Sequence, residues 1–512
     1  GRVQLLLAMG ERAARLAEIV AEVDAFIVDD LAEAQRLVSA PLRLGKALAR
    51  LAAPGATLWT QQPDGAQQAA LAAAGFECDE ARADGEWQAR YAPRFTPRVP
   101  TSRRTATRSS VPAPQHALIV GGGLAGCATA AALAERGWSS TIFERHAGPA
   151  SESSGNPAGL FHATVHAQDG HHARFHRAAA QAVYGQVQRA LREDGVAGAL
   201  RGLLRLEVTH EVPAMRQMLA ALGMPAGHLQ ALDRRSASAV AGRPLPSPAW
   251  FYLEGGWVDP AGLCRAYLRW AGAHCQWRGG HTVQRLAPRG GGWQLFDASG
   301  ALMAEAAVVV LANAGAALDL LGRPAWPIEA LRGQLSLIPA DAARAAGLVL
   351  PRLPVAGHGY LLPALAGQAV FGATSTANDP DPSIRPSDHA RNLEQLARLT
   401  GSPTGLGALA WQGRTAWRWS AADRLPLIGA VPDLAVYAGA AVPDQPRRIA
   451  RQPGLHVCIA LGSRGIAGSA LGAQVVAAGI AGTPMPLEAS LLDAVDPARF
   501  ASRAVRRTAA TR

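Results

Sequence analysis

Residues 116–126 read HALIVGGGLAG, and this motif predicts the fold of the larger part of the chain. A short apolar β run leads directly into glycines at the GxGxxG positions, and a helix of small residues follows. Gly121 permits a tight turn, Gly123 lets the backbone approach a pyrophosphate, and Gly126 lets helix and strand pack closely. Since a helix N-terminus attracts phosphate, these features together predict a Rossmann-like dinucleotide site.

The residues that follow complete the βαβ unit. A strand over residues 140–143 ends at Glu144, about 20 residues beyond the first glycine, where an acid can accept hydrogen bonds from ribose hydroxyls. This spacing alone does not separate FAD from NAD. The next segment, residues 150–160, reads ASESSGNPAGL and is small, polar and rich in glycine. It resembles the second FAD-binding segment of the D-amino-acid oxidase and glycine oxidase superfamily, which implies that the dinucleotide is FAD.

Further motifs resemble the same superfamily and follow its order along the chain. They are GGWVDP at 255–260, AVVVLANA at 307–314, RGQ at 332–334, DRLPLIG at 423–429 and GSRGI at 462–466. The resemblance implies that the helix after the last motif points at the flavin. Its dipole would stabilise negative charge there.

Other details resemble one branch of this superfamily, the MnmC family of bifunctional tRNA 5-methylaminomethyl-2-thiouridine biosynthesis proteins. They are SGNPAG at 154–159, GYLLP at 359–363, GAT at 372–374 and DPARF at 496–500, together with the DRLPLIG and GSRG strings. The resemblance covers about residues 116–500. In that family the oxidase half removes the carboxymethyl group from carboxymethylaminomethyl-thiouridine at the tRNA wobble position, and the methyltransferase half then methylates the amine.

A smaller α/β piece precedes the motifs. Strands are predicted over residues 3–8, 23–30 and 55–59, and helices over 12–22, 32–51 and 66–74. Their alternation is that of the second half of a doubly wound sheet. Asp30 stands where the family has an Asp-Gly-Phe motif, but Leu31 follows it. It could be a relic of the amine-contacting acid, although a structural aspartate at a strand end is favoured. The resemblance implies a truncated or degenerate methyltransferase half, with S-adenosylmethionine as a cofactor only if the missing part is present elsewhere.

The charge of the chain admits two explanations. Of its 512 residues, 50 are basic and 39 acidic, which gives a net charge of +11. A basic balance fits an anionic partner such as nucleic acid, but Lys46 is the only lysine, and the arginine bias also fits a genome rich in G and C. No acid occurs between Glu86 and Glu135. Residues 93–115 therefore form a basic linker rich in Pro, Ser and Arg, which either contacts a phosphate backbone or is a solvated tether.

Composition excludes other classes of protein. Apolar residues make up 49% of the chain and charged residues 17%, which excludes a mostly disordered chain. No apolar run reaches the roughly 18 residues of a membrane span, so no membrane contact is expected. The five cysteines form no CxxC, and their odd number argues against a disulfide framework, so we expect a cytoplasmic location.

Together these features predict an α/β and α+β fold. A Rossmann-like FAD-binding domain with an inserted β-rich substrate domain, of the D-amino-acid oxidase type, should occupy residues 116–512. The FAD part is expected at about 116–180, 300–322 and 414–505, and the substrate part at about 198–300 and 325–413. A partial methyltransferase-like domain (1–92) and the linker (93–115) come first. We expect a monomer.

Site residues follow from the resemblance and from the chemistry of an N-substituted glycine, whose carboxylate calls for arginine with a tyrosine hydroxyl. Tyr360 and Arg464 are the predicted catalytic pair. Arg332, Gln334 and Arg418 are predicted to bind substrate, although each arginine could instead form a structural ion pair. Arg418 and Arg414, with neighbouring tryptophans, could also contact RNA. The residues predicted to bind FAD are Gly121, Gly123, Gly126, Glu144, Arg145, Ser154, Asn156, Gly159, Leu160, Ala312, Gly429, Gly462, Arg464, Gly465 and Ile466.

A group of histidines also needs an interpretation. Their spacing fits no zinc template, and no cysteine or carboxylate cluster accompanies them. We therefore expect no metal site and favour an exposed helix start. The histidines concerned are His162, His166, His171, His172 and His176.

The predicted function is FAD-dependent removal of the carboxymethyl group from 5-carboxymethylaminomethyl-2-thiouridine in tRNA. The products would be the 5-aminomethyl nucleoside and glyoxylate, and the methylation step would be lost or incomplete. One alternative is a small-molecule amine oxidase of the glycine or sarcosine oxidase class. A second is a tRNA-binding protein with a vestigial flavin fold.

Overall fold

The computed structural model describes residues 5–28, 31, 41–61, 63–78, 86–94, 115–401, 405–438 and 440–510. The chain divides into two compact units. The first consists of Gly1–Val111, Pro432–Gln452 and Ala477–Arg512, and the second of Pro112–Val431 and Pro453–Val476. Asp30 and residues 95–114 of the predicted linker lie outside the described residues.

The helices and strands are numbered in chain order. The helices are α1 (Arg12–Glu18), α2 (Pro41–Leu51), α3 (Gly65–Ala73), α4 (Leu124–Ala134), α5 (His171–Asp194), α6 (Val212–Ala221), α7 (Arg234–Ala241), α8 (Pro260–Ala271), α9 (Ala316–Leu320), α10 (Ala340–Ala345), α11 (Pro386–Thr400), α12 (Gly465–Ala481), α13 (Ala489–Val495) and α14 (Arg499–Ala510). The strands are β1 (Val23–Val28), β2 (Ala52–Gln61), β3 (Phe76–Cys78), β4 (Glu86–Tyr91), β5 (His116–Val120), β6 (Ser139–Glu144), β7 (Gly159–Phe161), β8 (Gly198–Ala199), β9 (Leu203–Leu206), β10 (Leu229–Leu232), β11 (Ala249–Tyr252), β12 (Gly256–Val258), β13 (Cys275–Gly279), β14 (Arg285–Arg289), β15 (Gly292–Phe296), β16 (Leu302–Ala306), β17 (Val308–Leu311), β18 (Ile328–Pro339), β19 (Val355–Gly357), β20 (Gly359–Leu361), β21 (Gln368–Gly372), β22 (Thr376–Ala377), β23 (Gln412–Ala421), β24 (Leu427–Pro432) and β25 (Arg451–Ile459).

The first unit is built on a sheet of order β1-β2-β4-β3. β1 and β2 are parallel, as the α/β alternation predicts, whereas β4 runs antiparallel to both β2 and β3. Leu58, Phe76 and Trp87 are among its most buried side chains. α3 begins at a capping box in which Asp64 and Gln67 satisfy each other's backbone N–H groups. The strand predicted over residues 3–8 is wrong, because residues 5–8 form no strand.

The C-terminal residues belong to the first unit. Arg15 pairs with Glu488 at 3.2 Å, and the Met485 N–H donates to the Val20 carbonyl at 2.9 Å. The predicted domain of residues 116–512 is therefore corrected. Its segments 432–452 and 477–512 pack with the N-terminal α/β piece, although the chain reaches them only after the flavin motifs.

The second unit contains a six-stranded sheet of order β13-β6-β5-β17-β25-β24. The pairs from β13 to β25 are parallel, and β17 reads VVVL with every residue buried, as expected for a strand covered on both faces. β5 is followed in sequence by β6 on one side and flanked by β17 on the other. The carboxyl ends of β5 and β17 thus form the topological switch point, where ligands bind in such sheets. Since β13 belongs here, the predicted assignment of its residues to the substrate part is wrong.

The second unit also contains a nine-stranded sheet, which we call the substrate sheet, in the order β10-β11-β9-β19-β20-β21-β18-β22, with β23 also paired to β18. Two three-stranded sheets, β7-β12-β8 and β14-β15-β16, belong to the same unit. β23 runs antiparallel to β18 along ten residue pairs, from Ile328 with Ala421 to Leu337 with Gln412. The prediction that the FAD part resumes at residue 414 is wrong, because residues 412–421 belong to the substrate sheet and the six-stranded sheet resumes only at β24.

The stretch Gly462–Ala481, which contains α12, is long and apolar enough to cross a membrane. Within its most apolar window, 72% of the residues are buried inside the protein. The core helix of a soluble protein passes the same test of length and composition.

Candidate active site

The turn after β5 is closed by contacts that leave no room for side chains. Gly121 has φ +108°, and a Cβ on it would lie 2.8 Å from the carbonyl of Ala312 at the end of β17. A Cβ on Gly126 would lie 1.9 Å from the Gly121 carbonyl oxygen. The sequence prediction for these two glycines therefore agrees with the geometry: one makes the turn and the other lets α4 pack against it.

The N-terminus of α4 meets the second predicted segment. Gly123 is the N-cap and supplies no side-chain hydrogen bond. Instead, the Ser154 hydroxyl accepts from the Leu124 N–H at 3.1 Å. The structure thus brings Gly123 and Ser154 together at the positive end of a helix, where a phosphate would be stabilised.

Glu144 stands at the end of β6 beside this turn. One carboxylate oxygen accepts from the Gly122 N–H at 2.6 Å and the other from the His146 N–H at 3.0 Å. These bonds fix the carboxylate and leave it further lone pairs for ribose hydroxyls. Arg145, also predicted to bind FAD, pairs with Glu152 on the protein surface.

Two residues that the sequence analysis did not assign to FAD shape this end of the site. Trp277 on β13 lies against the glycine turn, since a Cβ on Gly122 would be 2.3 Å from its ring. Arg414 on β23 donates to the carbonyls of Ser151 and Glu152 at 3.1 and 2.6 Å and to Asn156 Oδ1 at 3.1 Å. Asn156 is therefore held by Arg414, whose hydrogen bonds position the loop.

A buried amide oxygen without a hydrogen-bond partner among the described residues lies at the switch point, where the flavin is expected. Asn313 follows β17 at the switch point, and its Oδ1 is buried with no hydrogen-bond partner in the described structure. Such an atom is costly unless a ligand donates to it. Nearby, a Cβ on Gly159 would lie 2.3 Å from Ile466 Cδ1, so β7 and the start of α12 are in contact. The glycine cradle, Glu144 and the unpartnered Asn313 oxygen together fit FAD.

The remaining predicted FAD residues follow the same elements. Leu160 lies in β7, Gly429 in β24 and Gly465 at the first position of α12. Gly462 has φ +57° beside Ser420 of β23. The turn that contains Gly462 follows β25 of the six-stranded sheet and contacts β23 of the substrate sheet, so it lies between the two sheets.

Arg464 is half-buried near this turn, beside His162, His176 and Tyr252, and we call these four residues the Arg464 group. It donates to the His162 carbonyl at 3.4 Å. Burial, followed by the nearby Arg205 charge, lowers the pKa of Arg464 to about 10. Burial and then Arg464 also lower the pKa of His176 to about 3, so this histidine is neutral at physiological pH. The rings of His162 and Tyr252 lie 4.7 Å apart.

Tyr360 and Arg418 form a second group, and both residues are half-buried. Arg418 donates from Nη2 to the Thr374 carbonyl at 2.8 Å, while its Nε is buried without a partner in the described residues. Burial lowers the pKa of Arg418, and Tyr360 opposes that shift. Burial raises the pKa of Tyr360 to about 12, so its hydroxyl stays protonated. Tyr360 packs in one apolar cluster with Ala158 and Leu160 of the FAD segment.

The predicted pairing of Tyr360 with Arg464 is not the one that the structure brings together. Arg464 stands beside Tyr252 and Arg205, and Tyr360 stands beside Arg418. A buried guanidinium with a free N–H beside a protonated phenol suits a carboxylate ligand. The sequence could not distinguish the two arginines, because each lies in a matched motif.

Comparisons with known proteins agree with this geometry. The family model described as FAD dependent oxidoreductase (DAO) matches residues 116–478. The tRNA 5-methylaminomethyl-2-thiouridine biosynthesis bifunctional protein MnmC of Methylibium petroleiphilum is 44% identical over 511 residues, covering 98% of this chain and 78% of that protein. The MnmC protein of Paraburkholderia phytofirmans is 37% identical over 525 residues, covering 99% and 78%. The chain belongs to the MnmC family.

Solved structures agree with the fold. Glycine oxidase from Geobacillus kaustophilus has a TM-score of 0.57 at 21% identity and covers 72% of this chain and 95% of its own. L-proline dehydrogenase from P. horikoshii has a TM-score of 0.59 at 16% identity, with coverages of 76% and 99%. The predicted D-amino-acid oxidase architecture is confirmed, and this MnmC-family chain is an FAD-dependent oxidoreductase.

Two predicted substrate residues of this MnmC-family chain are engaged in internal hydrogen bonds. Arg332 is fully buried and donates to Asp388 at 2.6 Å and to the Asp381 carbonyl at 2.6 Å. Gln334 is also fully buried, and both ends of its amide bond the backbone of Arg385, at 2.8 and 2.9 Å. Their polar atoms hold β18 to the start of α11, which favours the structural alternative over substrate binding for these two residues.

The histidines do not share one environment. His171, the first residue of α5, and His166 are exposed, as the predicted exposed helix start requires, whereas His162 and His172 are half-buried and His176 is buried. The rings of His172 and His176 lie 4.5 Å apart on α5, and His176 is 3% exposed. Among the described residues, no group of three or more His, Cys, Asp or Glu is arranged to hold a metal ion.

Proposed function

We propose that this chain removes the carboxymethyl group from 5-carboxymethylaminomethyl-2-thiouridine at the wobble position of tRNA, yielding the 5-aminomethyl nucleoside and glyoxylate. Membership of the MnmC family supports tRNA as the substrate. The chemistry is supported by Arg418, whose buried Nε lacks a hydrogen-bond partner in the described structure and which stands beside the protonated Tyr360. The group to be removed ends in a carboxylate, which this pair can bind.

The residues around the switch point would hold the cofactor. Gly121 and Gly126 would shape the turn, and Gly123 would let the backbone approach the pyrophosphate. Ser154 lies at the helix end that attracts it, and Glu144 can accept from the ribose. Bound FAD would supply the acceptor for a hydride from the carbon between the substrate nitrogen and the carboxylate.

The chain's own residues orient the substrate for that transfer. Arg418 would hold the carboxylate by charge-assisted hydrogen bonds, and its bond to the Thr374 carbonyl fixes the guanidinium. Tyr360 would donate its hydroxyl proton to the same carboxylate. Because Tyr360 packs with Ala158 and Leu160 of the FAD segment, a substrate held there lies close to the cofactor cradle.

The Arg464 group would set the protonation state of the substrate amine. Arg464 adds positive charge, and the neighbouring His162 is kept neutral by burial, which lowers its pKa well below the usual value. Positive potential disfavours an ammonium ion, so the secondary amine would bind neutral, as its oxidation requires. The oxidised substrate is an imine, and water hydrolyses it to glyoxylate and the primary amine.

The test is a glyoxylate assay with purified, FAD-loaded protein. Glyoxylate should appear with tRNA that carries the carboxymethylaminomethyl nucleoside, and not with glycine or sarcosine. Turnover of the free amino acids without turnover of the tRNA would support the amine oxidase alternative instead. A monomeric state and a cytoplasmic location stay predictions from the sequence.

A further inference from the structure

An open pocket lies in the second unit beside the substrate sheet. Its volume is about 580 Å³, within the range of small-molecule sites. It lies between the end of β9, β11, the turn after β19 and α11. We call it the Arg205 pocket, and its polar lining includes Arg205, Glu207, His210, Trp250, His358 and Arg398.

The Arg205 pocket carries unbalanced positive charge. Arg205 and Arg398 are exposed, and neither guanidinium has an ion pair or hydrogen bond within the described part of the chain. Glu207 is the one acid among the described lining residues, and it is already engaged. It accepts from Trp250 Nε1 at 2.6 Å and from the Thr209 N–H at 2.7 Å. Burial acts to raise the pKa of Glu207, but these hydrogen bonds outweigh it and the pKa is lowered. A ligand for this pocket is therefore anionic.

The inner end of the pocket reaches the Arg464 group. Tyr252 lines the pocket and is 2% exposed, and its ring lies 4.7 Å from that of His162. The His162 carbonyl accepts from Arg464, which belongs to the turn before α12. A ligand in the pocket would thus lie next to the flavin-side turn while staying open to solvent.

We propose that the Arg205 pocket binds the sugar-phosphate of a nucleotide adjacent to the wobble nucleotide in the anticodon loop. This inference rests on the proposed function. Arginine forks match phosphate oxygens, and proteins recognise RNA loops by holding nucleotides that have left the stack. Arg205 and Arg398 would bind the flanking phosphates, so the modified uridine is presented to Tyr360 and Arg418 by its neighbours.

The test compares two substrates that share the reacting group. One is tRNA carrying the carboxymethylaminomethyl nucleoside, and the other is the free nucleoside, which has no phosphates. For Arg205→Gln and Arg398→Gln, the ratio of kcat/KM for tRNA to kcat/KM for the nucleoside should fall about tenfold each, as expected for one charge-assisted hydrogen bond. The slope of log affinity for tRNA against log salt should shrink by about 0.7 for each phosphate that the variant no longer neutralises.

The control is Arg289→Gln, which removes an exposed arginine at the end of β14 in the same unit. It should leave both the ratio and the salt slope unchanged. An unchanged ratio in both pocket variants would overturn the inference, and so would an equal loss with both substrates, because the pocket would then serve the reacting group or a small anion. If the wild-type protein oxidises neither substrate, the proposed function fails. The affinity for a labelled anticodon stem-loop, measured by fluorescence anisotropy, then tests the pocket inference separately. It should be weaker in Arg205→Gln and Arg398→Gln than in the wild type and in Arg289→Gln, and equal affinities would overturn the inference.

Discussion

Replacing Arg418 by Met should separate activity from stability. In the free protein Arg418 is a largely buried cation, and it has one hydrogen bond from Nη2 and an unpartnered Nε among the described residues. Burial lowers its pKa, so keeping it charged destabilises the folded state. Met has a similar length and no polar atom, and replacing a poorly paired buried charge by an apolar residue is often neutral or stabilising.

The expected loss of activity follows from the bond between Arg418 and the substrate carboxylate. Truncating one partner of a buried, hydrogen-bonded charge pair costs about 2–4 kcal/mol, which is a fall in kcat/KM of roughly 30- to 1,000-fold. Arg418→Lys keeps the charge but not the planar fork, so its loss should be smaller. Thermal unfolding of Arg418→Met should occur at or above the wild-type temperature.

Arg332 provides the matched control, because it is a buried arginine on the neighbouring strand, paired in register with Trp417. Its bond to Asp388 is internal, so Arg332→Met should destabilise the fold by about 3–5 kcal/mol. Glyoxylate kinetics and thermal unfolding would be measured for both variants. Wild-type kcat/KM in Arg418→Met, or a stability loss equal to that of Arg332→Met, would refute the assignment of Arg418 to the substrate.

Other predictions follow from single contacts. Gly126→Ala would place a methyl group 1.9 Å from the Gly121 carbonyl oxygen, and the purified protein should lack the flavin absorbance that the wild type shows. Tyr360→Phe should raise KM for tRNA about tenfold, as expected when one hydrogen bond to a charged group is removed, while an unchanged KM would exclude the hydroxyl from binding. His176 has a pKa near 3 in the fold, so between pH 3 and 6.5 the unfolded chain binds its proton and the folded chain does not. Stability should therefore fall as the pH drops, and His176→Gln should reduce the slope of urea-unfolding free energy by about 1.4 kcal/mol per pH unit. Equal slopes in the two proteins would contradict the neutral, buried histidine.

The sequence predicts those parts of the site whose residues lie close together along the chain. The βαβ unit from His116 to Glu144 can be recognised because its strand, glycines, helix and terminal acid lie within one continuous stretch, and each has one physical task. The same holds for Ser154, which reaches the N-terminus of α4 from the next segment.

Contacts between distant residues cannot be predicted in this way. Arg332 finds Asp388 only when α11 folds against β18, so its motif looks the same whether the arginine binds substrate or holds the fold. The predictions for β13 and β23 are wrong because the sequence of a short strand does not specify which sheet it joins. The return of the C-terminal segment to the first unit leaves no local pattern either, since it depends on pairs such as Arg15 with Glu488.

Mass analysis of the wobble nucleoside shows whether this chain removes the carboxymethyl group. tRNA carrying 5-carboxymethylaminomethyl-2-thiouridine would be incubated with the FAD-loaded protein, digested to nucleosides and compared with an untreated sample. The 5-aminomethyl nucleoside should replace the starting nucleoside, with one glyoxylate released for each. A starting nucleoside that persists unchanged with active, flavin-containing protein would contradict the account.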